Sequence, residues 1–155
     1  MNRAFQMLVT LAWGLWFGGL VMLFISVTSL FHTFADQRDV AATAASGLFH
    51  SFDSYRLIVA AAALVATFLW RLAGGASRLK TAVFTLFALA VIAATCSAVL
   101  ITPKIERLAA AGKTHSPDFR RLHGASMGVY LVETLFVAGA GMLLPGQPKQ
   151  IATRI

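Results

Sequence analysis

Four long apolar stretches decide what this chain can fold into. They fall at about residues 5–31, 47–73, 81–102 and 118–144. A stretch of about 20 apolar residues, coiled as an α-helix, matches the hydrocarbon thickness of a bilayer. Inside that layer the backbone has no water to bond, so each segment must satisfy its own N–H and C=O groups as a helix. The expected fold is all-α: an integral membrane four-helix bundle, one transmembrane domain over residues 1–155. Pro145, Gly146 and Pro148 end the last helix and leave 145–155 as a loose C-terminal tail.

Composition supports this reading. The chain is 58% hydrophobic and 12% charged, where a soluble domain carries about 25% charged residues. The net charge of +7 does not point to nucleic acid, because the basic residues flank the apolar stretches and form no stripe with interleaved aromatics. They are placed to contact anionic head groups of the bilayer and to set topology. The single cysteine, Cys96, lies inside an apolar stretch and excludes an internal disulfide or a multi-cysteine zinc site. The first apolar stretch exceeds the h-region of a signal peptide, about 7–15 residues, and is expected as a retained helix.

The individual helices carry distinct signals. The first holds Trp13, Trp16 and Phe17 with Gly14, Gly18 and Gly19. Gly14 and Gly18 share one face, which allows close packing by a neighbouring helix, within the chain or from another subunit. The uncharged core of the second, Leu57 to Trp70, has 14 residues, about 21 Å. That is short for a span, so the helix is expected to start near Gly47, after an Ala-rich lead. His50, Asp53 and Arg56 then follow one another at i, i+3 and i+6. The third helix is expected to stop before Pro103, which disfavours helical geometry in the residue preceding it. Ser116 and Pro117 suit the N-cap and first position of the fourth helix.

An even number of spans puts both termini on one side of the membrane. That side carries Arg3, Arg71, Arg78, Lys80, Lys149 and Arg154 and no acid. The other carries seven basic residues and five acids. The uniformly basic loop from Arg71 to Lys80 favours cytoplasmic termini in a bacterial inner (cytoplasmic) membrane.

The same parity gathers His32, His50, His115 and His123 at the opposite face. On the fourth helix, His123, Ser126, Tyr130, Glu133 and Val137 fall within about 80° of arc and form a polar stripe expected to face inward. Glu133 lies ten residues below His123, about 15 Å away, near the midplane. An acid there costs about 2.5–3.5 kcal/mol on insertion scales and usually marks a site. It is either a contact for an ion, proton or ligand, or a structural carboxyl that is protonated or paired with Arg56. The candidate metal ligands are His123, Glu133 and His50, with Asp53, Arg56, Ser126 and Tyr130 supporting them. Imidazole suits copper and heme iron, although the histidines lack a fixed ligand spacing. No nucleophile–base pair or phosphate loop occurs, so no enzymatic activity is expected.

Several segments carry a resemblance. They are Trp13-Gly14 with Gly18-Gly19, Leu48-Phe49 with Tyr55, Pro103-Lys104-Ile105, and above all Phe119-Arg120-Arg121-Leu122-His123-Gly124-Ala125-Ser126 with Glu133 further on. The pattern resembles the transmembrane protein 205-like small four-helix membrane proteins of unknown function, distant relatives of the CopD copper-resistance family. Where that family more typically has an Asn-Leu segment after the serine, this chain has Met127-Gly128-Val129-Tyr130. The resemblance implies a four-helix bundle and no settled activity; for the relatives a role in metal handling is suggested. Three functions stay open: metal-ion or small-ligand handling, an accessory subunit of a larger membrane complex packing through the Gly/Trp face of the first helix, and a heme-binding membrane oxidoreductase.

Overall fold

The computed structural model describes residues 2–144. Within them lie α1 (Asn2–Thr33), α2 (Arg38–Ala73), α3 (Arg78–Cys96), a π turn (Ser97–Ile101), α4 (Thr102–Ala110) and α5 (Pro117–Leu143). The described residues contain no strand. α3, the π turn and α4 run on as one span, so four spans are long and apolar enough to cross a membrane. The tail expected at 145–155 lies outside the described residues.

The surface carries many large apolar side chains. Met7, Leu11, Met22, Ile58, Leu72, Ile92, Leu131 and Met142 all point outward. A water-facing surface does not carry apolar area on this scale; a lipid-facing one does. The protein is an integral membrane four-helix bundle. α1 packs on α2 and α5, and α3 packs on the same two, so the order around the bundle is α1–α2–α3–α5. Cross-bundle bonds join Trp13 to Val137, Trp16 to Glu133, and Tyr130 to Leu20. These pairs step in opposite directions along α1 and α5, which makes the two helices antiparallel. The core alternates large and small side chains: Trp16, Trp70 and Phe87 against Ala60, Ala63, Ala90 and Ala140.

Three boundaries and contacts differ from the sequence-based expectation. α2 begins at Arg38 rather than near Gly47. The Ala-rich lead is good helix former with Asp39 in its first turn, and Ala41 and Ala45 are buried. At 36 residues α2 is about 54 Å long and overshoots a hydrocarbon layer of about 30 Å. The third span does not stop at Pro103. Its ladder loosens by one residue at the π turn, where the Thr102 N–H reaches the Ser97 carbonyl. Pro103 then sits in the opening turn of α4, where a missing N–H leaves no bond unmade.

Close packing also falls away from Gly14 and Gly18, where an added Cβ would meet nothing within 4 Å. It occurs at Gly19, where a Cβ would lie 2.9 Å from Tyr55 Cε1, and at Gly141, where a Cβ would overlap the Trp13 indole. In each case an aromatic ring fills the space between two helices and the small residue is needed opposite it: Gly19 of α1 faces the rings of α2, and Gly141 of α5 faces Trp13 of α1. The start of α5 follows its sequence signal, the Ser116 side chain accepting the Phe119 N–H, and Ser77 caps α3 in the same way through the Lys80 N–H. Lys80 is buried at the α2–α3 turn. Its Nζ donates to the carbonyls of Trp70 and Gly75 at 3.3 and 3.2 Å, a cation set against a helix C-terminus.

Candidate functional site

The strongest polar feature is a charge centre inside the bundle, to which every helix contributes at least one group. α2 supplies Arg56, whose Nη1 donates to Glu133 Oε2 of α5 at 3.0 Å. Its Nη2 lies 2.7 Å from Asp53 Oδ1, one turn back on α2, and 3.3 Å from the Ala94 carbonyl of α3. From α1 the Trp16 indole donates to the other Glu133 oxygen at 3.0 Å. At the start of α4 the Thr102 hydroxyl donates to Asp53 Oδ2 at 3.2 Å. One turn from Glu133, the Tyr130 hydroxyl donates to the Leu20 carbonyl.

Sequence dictates this arrangement locally. Spacing of i, i+3 stacks Asp53 and Arg56 on one face of α2. A buried indole N–H needs an acceptor, and Glu133 is the acceptor at that level. Just beyond Ala94, the π turn re-aims the chain so that Ala94 and Thr102 both face α2. Single-turn π insertions inside helices are frequent at functional sites.

The centre is dry at one end and wetter at the other. Glu133 is 0% exposed and Arg56 2%, while the Asp53 side chain is 18% exposed. Arg56 Nε is buried with no hydrogen-bond partner. One guanidinium faces two carboxyl groups, so full ionisation would leave a net negative charge in a medium that penalises it by several kcal/mol per uncompensated ion. One more unit of positive charge would make the three groups neutral.

The structure thus brings Asp53, Arg56 and Glu133 together and leaves the histidines out. His50 is exposed (77% for its side chain) and lies 3.3 Å from Glu106 of α4. His123 is exposed and stacks on Phe119. His32 and His115 are exposed as well. His50, His123 and Glu133 therefore form no joint ligand set, and no group of three or more His, Cys, Asp or Glu placed to hold a metal ion occurs among the described residues.

The stripe on α5 is inward only in part. Glu133 and Val137 are buried, Tyr130 and Ser126 partly so, and His123 faces out. Toward the start of α5 its neighbour is the short α4, which does not cover the position of His123. Three groups escaped the sequence reading. Trp16 was readable in principle, since a mid-helix indole needs an acceptor at its own depth. Thr102 and the Ala94 carbonyl depend on the π turn, for which the sequence carries no plain signal.

The family model described as domain of unknown function, DUF4149, matches residues 11–114. That range takes in Trp16, Asp53, Arg56, Ala94 and Thr102 and ends before α5. No curated protein and no solved structure matches the chain.

Proposed function

The chain belongs to the DUF4149 family, a domain of unknown function, and from that premise we propose that it is a non-enzymatic membrane protein that takes up a small cation, the proton, at the centre formed by Glu133, Arg56 and Asp53. The observation that carries this reading is the charge imbalance: two carboxyl groups share one guanidinium inside the bundle. Asp53, the part-exposed member, is the entrance, on the side that bears the histidines. Glu133 is the sealed end. Trp16 and Thr102 hold the two carboxyl groups in place and exclude water from the inner one.

Proton release by the purified protein as the pH is raised from neutral through the alkaline range, followed with an indicator dye and taken as the difference between wild type and variant, tests this. We expect about one proton per chain, lost in Glu133→Gln and unaffected by excess Na⁺ or K⁺. Equal release by the variant contradicts the proposal; competition by Na⁺ or K⁺ reassigns the centre to that metal ion.

Likeness of the Phe119–Ser126 segment to the transmembrane protein 205-like proteins and their CopD relatives agrees with cation handling. Copper or heme ligation through His50 and His123 ranks below the proton, because both imidazoles sit on the exposed rim beside other partners. We place the protein in the bacterial cytoplasmic membrane with both termini inside, on the strength of the basic α2–α3 turn.

One observation favours a second role as an accessory subunit. The Gly14–Gly18 face of α1 stays open, with the spacing that suits a helix from another membrane subunit. Purification from the native membrane in mild detergent tests this role: a stable partner supports it, and a lone monomer counts against it.

A further inference from the structure

We infer that the groove between α4 and α5 binds the phosphate headgroup of an anionic phospholipid. The groove has a volume of about 600 Å³ and is lined by three cations: Lys104 and Arg107 from α4, and Arg121 from α5. None of the three belongs to an ion pair found among the described residues, and all three are exposed. Asp118, in the first turn of α5, is the one acid in the lining. It faces a helix N-terminus, which favours a carboxylate there. The groove keeps a net charge of +2.

Its remaining walls are apolar: Leu108, Leu122 and Ala125. A soluble phosphate has no use for such a wall, whereas the glycerol and upper acyl segments of a phospholipid do. Depth agrees with this. Arg121 lies twelve residues along α5 from the buried Glu133, about 18 Å. A hydrocarbon half-thickness of about 15 Å separates a midplane residue from the headgroup layer. Basic pockets between spans at that level are suited to anionic headgroups. Because α4 is a short helix hung from the π turn, a lipid bridging it to α5 would also brace Thr102 against Asp53. The groove is separate from the charge centre, and its test does not depend on proton uptake.

Native mass spectrometry of the full chain, exchanged into detergent with phosphatidylglycerol or with phosphatidylcholine, tests the site. Wild type is expected to retain phosphatidylglycerol and to release phosphatidylcholine. Each headgroup-level cation contributes about fivefold in affinity, so Lys104→Ala with Arg121→Ala should weaken retention roughly 25-fold. A double variant of equal charge outside the groove, Arg38→Ala with Lys113→Ala, should retain lipid as wild type does, and circular dichroism checks that both variants keep their helix. Equal retention by the groove variant and wild type overturns the inference. So does displacement of the lipid by millimolar inorganic phosphate, which would make the groove a soluble-anion site.

Discussion

The Trp16 indole donates to Glu133 Oε1 at 3.0 Å across the α1–α5 interface. This bond turns the carboxyl group so that its second oxygen meets Arg56 Nη1 at the same distance. Three helices are thereby tied at one level, and the inner carboxyl is sealed from water. Both oxygens of the buried carboxyl group thus have a donor.

Breaking the pair from one side is expected to be costly. Arg56→Leu leaves Glu133 buried without its cation, a loss of about 3–5 kcal/mol. Replacing both residues, Arg56→Leu with Glu133→Leu, should recover much of that loss, since an apolar pair of similar volume often matches a buried ion pair. Unfolding in mixed micelles with rising SDS measures all three proteins.

Trp16→Phe keeps an aromatic ring near Phe87, on which Trp16 stacks with centroids 5.8 Å apart, and removes the N–H donor together with part of the buried indole volume. The expected cost is about 1–3 kcal/mol, the penalty for an unmatched buried acceptor. The same unfolding assay reads it. A change near zero would mean that Glu133 does not depend on the indole.

The two glycine environments should separate cleanly. At Gly141 a Cβ would collide with the Trp13 ring, so Gly141→Ala is expected to cost about 1–3 kcal/mol as an overpacked contact. Gly14→Ala meets open space and should stay within about 0.5 kcal/mol of wild type in the isolated protein. If α1 docks on another subunit through Gly14, that variant loses the partner while keeping its own stability.

Architecture and depth were readable from the chain because apolar length and helix parity are long-range, additive signals. The four spans and the shared level of Arg56 and Glu133 follow from them, and the Ser116 cap from a local Ser-Pro signal. His123 was not readable. A straight 100° projection assumes that one face stays packed along the whole helix, whereas α5 exchanges its neighbour near the rim. Pro103 misled for a related reason. Proline forbids an ordinary helix interior, yet a π turn just before it supplies the opening turn that proline accepts. Lys80, read as a topology signal, is largely occupied with the carbonyls that end α2.

The π turn itself makes a testable prediction. Deleting one residue within Ser97–Ile101 would restore an α-helical ladder and rotate α4 by about 100°. Thr102 would then leave Asp53, and Glu106 would leave His50. Cysteines introduced by His50→Cys and Glu106→Cys, in a Cys96→Ser background, should be joined by a short bis-maleimide in the full-length chain. The deletion should abolish that cross-link.

The central claim is that the Glu133–Arg56–Asp53 centre carries one extra positive charge in the form of a proton. Infrared spectroscopy of the protein in lipid, with the C=O stretch of protonated carboxyl groups as readout, tests this most directly. At neutral pH one such band per chain is predicted, lost or shifted in Glu133→Gln and perturbed in Asp53→Asn. A spectrum with no protonated carboxyl band, unchanged by either substitution, would contradict it.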